Sequence, residues 1–207
     1  MALPRVNSDV ERDIELALVN RLRQGDLDAF DEVHTAFNAR LFTFLVRLSR
    51  SRDVAEDLLE ETWLRLVKHG RRLEEETRLG PWLFTVARNL HVSYVRSRIL
   101  EDSAEASLMA LWPFGAQRSS PFEAAAASEL QRRVERALAA MPPRSREVLL
   151  LVGVAGLDYS DAADVCGITP EALRQRLHRA RETLATFLER DEQAVVPERG
   201  PSSCPIP

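Results

Sequence analysis

The stretch "LDYSDAADVCGITPEALRQRLHRARETLATFL", Leu157 to Leu188, decides how the chain folds. A short segment, about Ser160 to Cys166, ends at Gly167, the residue type that accepts the left-handed backbone of a tight turn. Thr169 then offers the hydroxyl of an N-cap, Pro170 fits the first helical position, and Glu171 sits near the positive end of the helix dipole. Short helix, glycine turn and capped longer helix together make a helix-turn-helix pattern. At about 100° per residue, Leu173, Leu177, Ala180 and Leu184 fall in one stripe that must face a core. Opposite them lie Glu171, Gln175, His178 and Glu182, flanked by Arg174 and Arg179.

Residues 171–181 carry four Arg against one Glu, a local charge of +3. The N-terminal residues of a recognition helix reach base edges in the major groove. Arg174, Gln175 and His178 are therefore the base-contact candidates, with Arg176, Arg179 and Arg181 better placed for phosphates. A solvated arginine-rich helix would show the same count, and the capped turn beside it is what favours DNA. The chain as a whole is nevertheless acidic, with 28 Lys+Arg against 32 Asp+Glu and a net charge of −4. A freestanding DNA binder usually has a basic balance, so this helix belongs to something larger or is only a solvated face.

Working outward, residues 9–98 read as a run of amphipathic helices. Leu27, Phe30, Val33, Phe37, Leu41, Phe44, Leu45 and Leu48 recur at three- and four-residue steps, the period of one helix face. Gly25 ends the helix before them and Asp26 is the N-cap. A further helix runs from about Asp53 to His69 and stops at Gly70, and another opens at Pro81 and runs to Arg98. Residues 99–127 lose periodicity and gain Ser, Pro and Gly, as a linker does. Helical pattern resumes over 128–190, with a break and restart at Met141-Pro142-Pro143, and the tail 191–207 reads as disordered. The expected fold is all-α: two small helical domains joined by a flexible linker.

The charges are segregated along this plan. "DVAEDLLEE", 53–61, carries Asp53, Glu56, Asp57, Glu60 and Glu61 with no basic residue. These acids share a helix with Leu58, Leu59 and Trp63, a mixed surface suited to a basic protein partner, although a charge run is usually a solvated face. "RLGPWLFTVARNLHVSYVRSR", 78–98, carries Arg78, Arg88, Arg96 and Arg98 with no acid, interleaved with Trp82, Phe84, Asn89, His91 and Tyr94. Cations that track phosphates beside aromatic faces that accept unstacked bases are the combination expected at a single-strand site. Core packing explains Trp82 and Phe84 equally well.

These segments resemble a bacterial RNA polymerase sigma factor of the extracytoplasmic-function group over about residues 10–190. "AEDLLEETWLRL" is similar to the family's polymerase-binding helix, and "PWLFTVARNLHVSYVRSR" to its −10-reading and promoter-melting segment. "MPPRSREVLLLVGVAGLDYSDAADVCGITPEALRQRLHRAR" is similar to its −35-reading domain. The resemblance implies a sigma-2-like domain at 9–98 and a sigma-4-like domain at 128–190. It implies that Asp57, Leu58, Glu61 and Trp63 dock on the coiled coil of the polymerase β′ clamp. It implies that Trp82, Arg88, Asn89 and Arg96 serve the −10 element, where an extruded base is held in a pocket. Arg174, Gln175 and His178 match the family's −35-reading positions, with Arg176, Arg179 and Arg181 beside them as the phosphate candidates of the same helix, and an anti-sigma protein is a further partner the resemblance admits. The chain departs from common family residues at Glu60 (often Gln), at Ser93 (often Asp) and in "EALRQRL" (more usually Thr-Val-Lys-Ser-Arg).

Two other classes compete. For an enzyme, His34, His69, His91 and His178 with Cys166 and Cys204 make no recognisable metal spacing, and no Ser/His/Asp or phosphate-loop pattern appears. No cofactor, metal or catalytic constellation is therefore expected. An unaided transcriptional regulator would use 78–98 only as core and would bind duplex DNA alone. The acidic balance favours the sigma reading, because phosphate contacts dominate duplex affinity. With no signal-peptide core at the N-terminus and no apolar run near the roughly 20 residues that span a bilayer, the expectation is a cytoplasmic protein without membrane insertion.

Overall fold

The computed structural model describes residues 8–105 and 129–195. Every regular element in them is helical: α1 (Ser8–Gln24), α2 (Leu27–Ser49), α3 (Arg52–His69), a 3-10 turn (Gly70–Arg72), α4 (Leu79–Glu105), α5 (Glu129–Ala140), α6 (Pro143–Gly153), α7 (Tyr159–Cys166) and α8 (Pro170–Val195). The tail expected from 191 begins as the last turns of α8, and residues 196–207 lie outside the described residues, as do linker residues 106–127.

Local chemistry sets most boundaries as the sequence predicts. Gly25 takes a left-handed φ of 81°, and the Asp26 carboxylate accepts from the N–H groups of Asp28 and Ala29 at the start of α2. Ser51 caps α3 in the same way through Val54. Pro143 stands in the first turn of α6, where its missing N–H costs nothing. The α4 boundaries differ from the expectation. The helix opens at Leu79, because the Glu15 carboxylate from α1 accepts the Leu79 N–H at 2.7 Å and places a negative charge at its positive end. It also runs past Arg98 to Glu105.

The N-terminal unit closes around Phe44 and Phe84, both fully buried, whose rings meet edge to face at 5.3 Å. In the C-terminal unit Leu173, Leu177 and Ala180 of α8 are buried against α6 and α7, and Leu184 packs beside them half-buried. That is the stripe the angular reading picked.

The two units do not stand apart. Their buried side chains form one continuous apolar cluster, with α2 against α6 and α4 against α7. A Cβ on Gly80 would lie 3.5 Å from both Phe37 and Leu157, so the start of α4 meets the loop before α7 closely. Arg146 is the polar centre of the seam. It is 4% exposed and donates to the carbonyls of Leu138 (2.8 Å), Ala139 (3.1 Å), Met141 (2.9 Å) and Leu48 (3.4 Å). One guanidinium thereby covers the carbonyl-bearing ends of α5 and α2, where a cation is favoured.

Candidate nucleic-acid interface

Three surfaces carry the sequence candidates. On the first, Gly167 turns at φ 65°, ψ 39° after α7, and the Ala172 N–H donates to the Thr169 hydroxyl at 3.2 Å to start α8. With Leu173, Leu177 and Ala180 buried, Arg174, Gln175, His178, Arg179 and Arg181 are exposed and Arg176 is half-buried. Arg174 pairs with Glu171 at 2.9 Å, and His178 Nε2 lies 3.4 Å from Glu182. Both pairs are intrahelical and solvent-exposed. Such pairs contribute about 0.3–0.5 kcal/mol, so a phosphate or base edge displaces them easily.

The second surface is a cleft of about 630 Å³ between the end of α3, the following loop and the middle of α4. Trp82, Val86, Asn89, Leu90 and Ser93 supply one wall at helical spacing, and Arg65, His69, Arg72, Glu74 and Thr77 supply the other. Trp82 is half-buried with its ring on the cleft, whereas Phe84 turns the other way into the core. The composition, one large aromatic, an amide and several cationic groups, fits a nucleotide removed from its stack. Arg65, His69 and Arg72 were not among the sequence candidates. Their signal is the run "RLVKHGRR" at 65–72, the most basic stretch outside α8, which follows directly on the acidic turns. Arg88 is absent from the cleft, because its Nε donates to Glu147 of α6 at 2.6 Å, and Arg96 lies exposed further along α4. Ser93, where the resembling family often has Asp, leaves Glu74 as the one carboxylate on the cleft wall.

The third surface is a groove of about 580 Å³ between α2 and α3. Phe30, His34, Asn38 and Phe42 line it at four-residue steps, facing Leu59, Trp63, Leu64 and Val67, with Glu56 and Glu60 at its edge. Trp63 is mostly buried; its indole N–H donates to Asn38 at 3.0 Å and its ring packs 4.7 Å from His34. Leu64 and Val67 are 42% and 63% exposed, a strip of apolar surface with nothing over it among the described residues. Asp57 is exposed, and Glu61 is held by Arg65 at 2.7 Å, a bond that lowers its pKa below the usual carboxylate value. Leu58 is not on this surface. It is 8% exposed and belongs to the core, because the helix phase that brings Leu59 and Trp63 to the groove turns Leu58 inward.

Residues 33–99 match the family described as Sigma-70 region 2, and residues 131–184 match Sigma-70, region 4. The chain is 31% identical to the RNA polymerase sigma factor CarQ of Myxococcus xanthus, over 82% of this chain and 95% of that one. The chain belongs to the extracytoplasmic-function group of the sigma-70 family. It is also 35% identical to the sigma factor EcfG of Rhodopseudomonas palustris, over 72% of this chain and 78% of that one. Among solved structures it resembles the sigma factor RpoE of Bartonella quintana in complex with the anti-sigma factor NepR. That likeness has a TM-score of 0.64 and 29% identity, and covers 78% of this chain and 98% of that one. The function of this sigma factor is promoter-specific transcription initiation with RNA polymerase. Sigma factors are regulatory initiation factors. The region 2 match takes in the cleft and all of the named groove residues but Phe30, and the region 4 match takes in the helix-turn-helix up to residue 184. Among the described residues, no helix is long and apolar enough to cross a membrane.

Proposed function

We propose that the sigma factor divides promoter reading between its two units. The sigma-2-like unit, 9–98 with the rest of α4, binds polymerase and opens the −10 element. The sigma-4-like unit, 128–190, reads the −35 element, and the remainder of 99–127, beyond α4, tethers the two. The observation that carries this is the cleft, which sets Trp82 and Asn89 opposite Arg65, His69 and Arg72. A base flipped from the non-template strand stacks on Trp82 and bonds to Asn89, while the cations hold its flanking phosphates. Unstacking costs a few kcal/mol and is least at weak steps, which makes melting and reading one act.

Arg174, Gln175 and His178 take base edges at −35, and Arg176, Arg179 and Arg181 take phosphates. The α2–α3 groove, with Leu59, Leu64 and Val67 between the acids Glu56, Glu60 and Asp57, receives the polymerase clamp. An anti-sigma protein is a further partner on the ground that the similar RpoE is seen with one. The chain acts in the cytoplasm, without enzymatic activity of its own, and polymerase does the chemistry.

The test uses a promoter recovered from transcription with core polymerase. Trp82→Ala is expected to leave core association intact while permanganate-reactive thymines in the −10 element fall at least tenfold. Unchanged strand opening in that variant would count against the cleft.

A further inference from the structure

Residues 73–78, between the 3-10 turn and α4, supply part of the cleft wall and have little structure of their own. Among the described residues, the one backbone bond within them runs from the Thr77 N–H to the Glu74 carbonyl at 3.1 Å. Three successive acids, Glu74, Glu75 and Glu76, repel one another there. The position of this loop is set from outside. Glu74 and Thr77 line the cleft, whereas Glu75, the Glu76 carbonyl and the Leu79 N–H are all taken up by α1.

The contact is two-ended. One oxygen of the Glu15 carboxylate accepts the Leu79 N–H at 2.7 Å, and the other meets the Arg12 guanidinium at 2.9 Å. Arg12 in turn donates to the Glu76 carbonyl at 2.6 Å. A pair one turn apart on α1 thereby grips two backbone groups three residues apart in the loop. The side chains of Arg12 and Glu15 are 32% and 23% exposed, so these charge-assisted bonds are partly shielded from water. Further along α1, Arg23 pairs with Glu75 at 2.7 Å, but Glu75 is 72% exposed and that pair adds little. None of Arg12, Glu15 and Arg23 lines the cleft, and the region 2 match begins at residue 33, after α1 has ended.

We infer that α1 braces the −10 cleft, with Arg12 and Glu15 as positioning residues that fix its loop wall before a base enters. The inference rests on the promoter-reading assignment above. Leu79 stands between Thr77 on one wall and Trp82 on the other, so the bond to Glu15 sets the two walls relative to each other. A wall already in place holds an extruded base at once. Ordering the loop at that moment would oppose capture through lost backbone entropy.

The test uses the full chain with core polymerase and a promoter recovered from transcription with that enzyme. Glu15→Ala is expected to lower permanganate-reactive thymines in the −10 element about tenfold, with core association unchanged. Glu15→Gln, whose amide oxygen still accepts from Leu79, should keep at least about half of the parent's opening, and Arg12→Ala should fall between the two. The second readout is base preference on a labelled −10 non-template strand bound by the sigma–polymerase complex. At the most discriminating position, preference for the native base should shrink about fivefold in Glu15→Ala, which uniform destabilisation does not produce. Amide exchange in the free chain should quicken over 73–79 and stay slow across the buried stretch Leu41–Leu48. If Leu41–Leu48 also quickens in Glu15→Ala, Arg12→Ala, which leaves the Leu79 acceptor in place, decides alone. Parent-like opening and base preference in the deciding variants overturn the brace. So does a fall in opening with base preference unchanged, or a Glu15→Gln chain as impaired as Glu15→Ala. Trp82→Ala separates the two readings: parent-like opening in that variant overturns the cleft assignment and the inference with it.

Discussion

Arg174 is the residue at which sequence and structure meet most directly. The helical angle placed it on the outer face, and the structure leaves it exposed with only Glu171 as partner. Arg174→Ala is expected to lower −35-dependent initiation by the equivalent of about 1–3 kcal/mol, roughly 5- to 150-fold, without loss of core association. Competitive transcription from promoters with and without a matching −35 element measures it. His91 tells the opposite story, since the sequence groups it with the 78–98 single-strand candidates and gives no sign of its burial. Burial against the seam lowers its pKa to about 4, helped by Arg146 of α6 and Arg88 of its own helix. The folded chain thus prefers neutral His91, and the unfolded chain binds more protons between about pH 6.5 and 4. Its contribution is present above pH 6.5 and is lost as the pH falls toward 4. Asp161, raised to about 6 chiefly by burial, acts with the opposite sign: its folded form binds more protons, and stability is lost as pH rises from about 3.8 through 6. Denaturant melts of the parent and His91→Gln at pH 7 and 5 separate the two groups. The parent should lose about 2 kcal/mol more than the variant on acidification.

At the scale of elements, the sequence showed which segments are helices because capping is local chemistry. Asp26, Ser51, Pro143, Gly167 and Thr169 each act within a few residues of their own position. The start of α4 was missed because its cap, Glu15, lies 64 residues away along the chain. Leu58 was assigned to the surface because a motif resemblance fixes a segment and not the phase of each side chain. The cleft was half legible: the α4 wall follows from one helix face, whereas the basic wall requires knowing how α3 ends against it. The α2–α3 groove yields its own prediction. Val67 is 63% exposed, so Val67→Glu should leave the fold stable and weaken association with core polymerase at least tenfold. Equal retention of the variant and the parent on immobilised core enzyme would contradict the docking surface.

For the whole molecule, the acidic balance that first spoke against DNA binding has a structural explanation. The acids on α3 edge the groove proposed to receive polymerase, and those on α6 and α7 neutralise arginines across the seam. No composition count reveals this, because the paired residues are 59 and 83 positions apart. A chain arranged in this way should depend on polymerase for its specificity rather than bind an operator unaided. The most direct measurement maps transcript 5′ ends made by core RNA polymerase on a genomic library, with and without the purified chain. The account predicts chain-dependent starts that share two upstream motifs at fixed spacing, and no site-specific duplex binding by the chain alone. Specific duplex binding by the chain alone, with no chain-dependent starts, would contradict it.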